Sequence, residues 1–153
     1  MDSVGKYCIA MNNIEVSKAD PIAPLHSASE SSASSQVLLA DESASARDSA
    51  QALLNAEGYS VLMAEDGFEA LALVVQHRPA VVLADVMLPR LDGYQLCCLI
   101  RSNSDYRDTP VVMLSSIDGL LDQTRADMVG SDGHVCRVNM ATQLADVVKA
   151  LTS

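Results

Sequence analysis

From Gln36 onward the chain alternates short apolar runs with longer stretches in which apolar side chains return every three or four positions. Short runs without internal charge suit strands buried on both faces, and the period between them suits amphipathic helices. The pattern predicts strands at 36 to 40, 60 to 64, 80 to 84, 110 to 115 and 133 to 137, with helices in the gaps. Such alternation is the signature of βα units wound about a parallel sheet, so an α/β domain is expected over residues 36 to 153.

Helix punctuation agrees with this reading. Asp66 stands where it can cap a helix after Gly67 in which Ala70, Leu71, Val74 and Val75 share a face. Gly58 and Gly130 are placed to end two other helices in a left-handed conformation. Met140, Leu144, Val147, Val148 and Leu151 keep helical spacing to the C-terminus, so the chain is expected to close on a packed helix with no output domain after it. Such a protein acts by touching another one. Residues 1 to 35 read differently. The segment from Ser27 to Ser35 offers no large apolar side chain to offset the entropy of ordering it, and Pro21 and Pro24 interrupt what precedes it. A disordered or weakly structured tail is expected there.

Charge and composition narrow the function. The formal charge is −10, and sixteen acidic against eight basic residues after Ser35 leave −8 on the predicted domain. Nucleic acid, which calls for a cationic face, is not an expected partner. Cys8, Cys97, Cys98 and Cys136 lack the paired spacing of a metal or disulfide framework. There is no basic region followed by a long apolar stretch and no run long enough to cross a bilayer, so a cytoplasmic protein without membrane insertion is expected.

The candidate chemistry lies at strand ends. Ala80-Val81-Val82-Leu83-Ala84 delivers Asp85 to a turn closed by Pro89 and Gly93, and Val37-Leu38-Leu39-Ala40 ends in Asp41-Glu42. In a doubly wound parallel sheet, ligands bind beyond the carboxyl ends of the strands. Three carboxylates gathered there would repel one another without a cation among them. Mg²⁺ suits a site with few carboxylates that completes its shell with water and phosphate oxygens. Taken singly, Asp41 or Glu42 could instead cap the helix starting near Ser43, and Asp85 could begin a turn.

Asp41-Glu42, Asp85 with Pro89, Asp92-Gly93, and Ser115 after Pro110-Val111-Val112-Met113-Leu114 together resemble the receiver domain of response regulators, from about Gln36 to Leu151. The segments from Asp66 to Ala72, Leu88 to Gln95 and Met113 to Leu120 are similar to small stand-alone receivers that serve type IV pilus twitching motility. The resemblance implies a five-stranded, flavodoxin-like (CheY-like) sheet of order 2-1-3-4-5. It implies that Asp85 accepts a phosphoryl group from a histidine kinase and that Glu42, Asp85 and the backbone carbonyl of Met87 ligate Mg²⁺, with Asp41 orienting the ion through water. Ser115 would bond the new phosphoryl oxygen. A downstream protein effector would read the surface of the fourth helix, fifth strand and fifth helix. His134 stands where the family usually has an aromatic residue that reports activation.

One departure from the family matters. A receiver usually ends its fifth strand in Lys-Pro, and this chain has Arg137-Val138-Asn139. Arg137 keeps the positive charge, but its planar fork cannot copy a compact ammonium. The alternative is therefore a degenerate receiver that binds its partner without phosphorylation. A signalling module is expected rather than an enzyme: an aspartate-nucleophile phosphatase would want a second Asp two residues after Asp85, where Met87 stands. A flavin-binding flavodoxin would want a phosphate-cradling loop after the first strand, which is also missing.

Overall fold

The computed structural model describes residues 35–116 and 120–152. Strand and helix alternate throughout: β1 (Gln36–Ala40), α1 (Ala44–Ala56), β2 (Ser60–Ala64), α2 (Gly67–His77), β3 (Val81–Asp85), α3 (Gly93–Ser102), β4 (Val111–Ser115), α4 (Leu120–Met128), β5 (Gly133–Cys136) and α5 (Met140–Thr152). All pairings are parallel, in the order β2-β1-β3-β4-β5. The expected doubly wound, flavodoxin-like sheet is therefore present. The tail expected at residues 1 to 35 lies outside the described residues apart from Ser35.

The strand limits move by one residue where the backbone demands it. Pro110 has no N–H and gives the ladder only its carbonyl, to the amide of Val82 at 2.8 Å, so β4 begins at Val111. β5 stops at Cys136 because the chain tightens at once into a 3-10 turn, Arg137–Asn139, that runs into α5.

Two core layers form because successive strand residues point to opposite faces. Leu38, Ala40, Val82, Ala84, Val111 and Met113 pack with Val74, Leu96, Ile100 and Ala126 from α2, α3 and α4. Val37, Leu39, Val81, Leu83, Val112, Leu114 and Val135 pack with Leu54, Leu144 and Val148 from α1 and α5. The strands are buried on both faces, which is why they read as unbroken apolar runs.

Helix ends follow the punctuation. Asp66 accepts from the amide of Glu69, and Asp92 forms a reciprocal capping box with Gln95. Neither Asp41 nor Glu42 caps α1. Ser43 does, through its hydroxyl and the amide of Ala46. Gly58 and Gly130 adopt φ of 93° and 83° after α1 and α4, as a left-handed terminator should.

Candidate functional site at the carboxyl edge of the sheet

Asp41 follows β1, Asp85 closes β3, Ser115 closes β4 and Arg137 follows β5, so all four stand at one edge of the sheet. Strand alternation sorts them into two rows. Asp41, Asp85 and Arg137 continue the row of Leu39, Leu83 and Val135, while Ser115 and His134 continue the row of Val111 and Met113. Each row makes its own contacts.

In the first row a single nitrogen of Arg137 bridges the two aspartates. Its Nη2 donates to Asp41 Oδ2 and, at 2.8 Å, to Asp85 Oδ2. The second oxygen of each aspartate is held locally: Asp41 Oδ1 accepts from the amide of Ser43 at 2.9 Å, and Asp85 Oδ1 from the amide of Met87 at 3.0 Å. Asp85 thus begins a turn, as its position suggested, and also joins a charged cluster. Asp41 is 2% exposed, so its charge needs this compensation. Arg47, one turn into α1, donates from Nη1 to the Asp41 carbonyl at 2.7 Å. For Arg137, burial acts to lower the guanidinium pKa, but the bonds to Asp41 and the charges of Asp41 and Asp85 outweigh it and raise the value above normal.

Glu42 does not join this group. Its side chain is exposed on the turn before α1, and among the described residues no three acidic, histidine or cysteine side chains gather as a metal-binding group. The three-carboxylate cluster expected from the sequence is therefore reduced to two, because the chain bends outward after Asp41 and Arg137 fills the space between the pair. The remaining donor set of two aspartate oxygens, with the Met87 carbonyl on the adjoining turn, still has the hard oxygen chemistry that Mg²⁺ prefers.

In the second row Ser115 is fully buried and its Oγ lies 2.9 Å from His134 Nε2. The sequence did not announce this pair, because it depends on the β4–β5 register, in which Met113 faces His134 and Ser115 faces Cys136. Arg47 was equally silent, a lone arginine with no motif around it.

The turn after Asp85 is held close to its own backbone. Gly93 opens α3 so near to β3 that a Cβ there would stand 2.5 Å from the Asp85 carbonyl oxygen. Only glycine lets helix and strand end meet at this distance. At the rim, Arg90 adopts φ of 68°, lies 3.4 Å from Asp66 and covers the Phe68 ring at 5.1 Å. Met87, on the turn after Asp85, and Val138, next to Arg137 in the 3-10 turn, are exposed.

The response regulator receiver domain model matches residues 37–149. The chain belongs to the response regulator receiver family. This receiver is 43% identical to Protein PilG of Pseudomonas aeruginosa over 115 residues, 75% of this chain and 85% of that protein. It is 34% identical to the Response regulator MprA of a Mycobacterium species over 116 residues, 76% of this chain, and spans 50% of that longer protein. Among solved structures, the Vibrio cholerae chemotaxis protein CheY4 superposes with a TM-score of 0.67 at 30% identity, over 75% of this chain and 99% of that one. The receiver domain of a Pseudomonas aeruginosa sensor histidine kinase, which carries a magnesium ion in its active site cleft, shares the fold with a TM-score of 0.73 at 23% identity, over 78% and 98%. The protein is thus a receiver of two-component signalling, and no helix among its described residues is long and apolar enough to cross a membrane.

Proposed function

We propose that Asp85 accepts a phosphoryl group from the phosphohistidine of a histidine kinase and that the phosphorylated receiver signals by contact with a protein effector. The observation that carries this is the placement of Asp85: it closes the central strand at the carboxyl edge, 13% exposed at the side chain, beside buried Asp41 and within reach of a guanidinium. In the transfer an Asp85 oxygen forms the new O–P bond while the N–P bond of the phosphohistidine breaks. Its electron pair returns to the imidazole, which takes a proton from water.

Each residue has a part in that step. The amide of Met87 holds Asp85 Oδ1 and orients the carboxylate, whose Oδ2 stays bonded to Arg137 until that side chain moves. Asp41 keeps a second negative charge beside the acceptor, and together with Asp85 and the Met87 carbonyl would hold Mg²⁺. When bound, the ion neutralises charge on the phosphoryl oxygens. Ser115 supplies a hydroxyl from the next strand. Its bond to His134 ties that hydroxyl to β5, a route by which capture of a phosphoryl oxygen would change the α4–β5–α5 surface. Similarity to PilG and to a chemotaxis protein supports a role in motility of the type IV pilus or chemotaxis-like kind, in the cytoplasm.

The second reading, a receiver that binds its partner without phosphorylation, draws support from the seating of Arg137 on both aspartates. Intact-protein mass spectrometry after incubation with acetyl phosphate and Mg²⁺ separates the two. One phosphoryl adduct on the wild type and none on Asp85→Asn is the expected result. An unmodified wild type would favour the second reading, and an adduct that survives Asp85→Asn would sink Asp85 as the acceptor.

A further inference from the structure

We propose that Arg137 is a built-in rival of the divalent cation, so that a cation enters between Asp41 and Asp85 only as the guanidinium leaves. The proposal rests on the receiver reading for the identity of the cation. The competition itself comes from the geometry of this chain.

Both aspartates turn Oδ2 toward one atom, Nη2 of Arg137, and both give Oδ1 to a backbone amide of their own turn. The oxygens open to a shared cation are thus the ones that already hold the arginine. A guanidinium and a divalent ion on the same two oxygens would repel strongly at such separation, and neither can share the point where the oxygens converge. The arginine has an exit. Its side chain is 21% exposed, it begins the 3-10 turn Arg137–Asn139, and Val138 beside it is in solvent. Swinging outward disturbs neither core layer.

Cation and arginine are then negatively coupled through one pair of carboxylates, and such coupling is reciprocal. Replacing Arg137 by a neutral side chain removes the rival while leaving the oxygens. An Arg137→Gln protein is expected to bind Mg²⁺ roughly tenfold or more tightly than wild type. Arg137→Lys keeps the charge on a shorter, compact head and should fall between them.

The test is calorimetric titration of the full chain with MgCl₂, without a phosphodonor, for wild type, Arg137→Gln, Arg137→Lys and Asp85→Asn. Tighter binding by Arg137→Gln, with the heat lost in Asp85→Asn, supports the proposal. Equal or weaker binding by Arg137→Gln, or binding that ignores Asp85→Asn, overturns it, as does a lack of Mg²⁺ binding in all four proteins. A second reading on the wild type avoids any folding defect of the variants. The Nε–Hε resonance of Arg137, assigned by its loss in Arg137→Lys, should shift with the same midpoint as the heat. A resonance that stays fixed while Mg²⁺ binds at Asp85 overturns the proposal. Phosphoryl transfer enters neither measurement, so exchange without a phosphoryl adduct would sink the phosphoacceptor reading alone. An adduct formed with Arg137 immobile would sink the exchange alone.

Discussion

Cys97 and Cys98 are neighbours on α3 with opposite surroundings, one fully buried and the other exposed. Burial pushes the Cys97 thiol from 9.0 up to about 11, against a smaller opposing pull from Arg101, and its Sγ donates to the Val129 carbonyl at 3.4 Å. The thiolate is the reactive species. Iodoacetamide at about pH 8 is therefore expected to label Cys98 and spare Cys97 in the folded protein, with both labelled in urea, as peptide mapping would show. The folded value lies above the unfolded one, so the folded state holds this proton more tightly. Its contribution to stability is complete below pH 9.0 and is lost as pH rises through about 11. Urea midpoints should decline over that window more in wild type than in Cys97→Ala.

Elements carry the next level of the argument, because the site residues are aimed by strand ends and helix starts. α3 begins one residue after Asp92, whose carboxylate accepts from the Gln95 amide at 2.8 Å while Gln95 Oε1 accepts from the Asp92 amide at 3.0 Å. This cap holds Gly93 against the Asp85 carbonyl. Asp92→Ala removes one arm of the box and is expected to cost about 1 kcal/mol in urea unfolding. It should also displace the Met87 amide resonance, since the Asp85 turn leans on the start of α3. An unchanged midpoint would show that the box is dispensable. The element limits were largely legible, as Gly58, Gly130 and Asp66 illustrate. The β5 end was not, because a 3-10 turn and a last strand residue share the same local sequence.

Over the whole molecule, two core layers clamp one sheet, and β3 lies at its centre between β1 and β4. Leu83 is fully buried in the layer of α1 and α5, two residues before Asp85 in the same row. Leu83→Ala should cost about 2–5 kcal/mol by urea unfolding, through lost burial and an incompletely closed cavity. Leu99→Ala, at a side chain 41% exposed on α3, should cost far less. Similar losses at both sites would contradict the two-layer description.

The sequence by itself determined the periodicity, and with it the five strands, the helices between them and the delivery of Asp41 and Asp85 to one edge of a parallel sheet. Local patterns suffice there because burial on both faces makes every strand residue apolar, and capping residues act within a turn of themselves. Only the tertiary structure decided how the edge is occupied. Glu42 turns to solvent, Arg137 spans β5 to β1 and β3, and Ser115 meets His134. These outcomes depend on strand order and register, and Arg137 lies 96 residues from Asp41 and 52 from Asp85 along the chain. A pairing set by the stacking of separate strands leaves no periodic trace in any one of them.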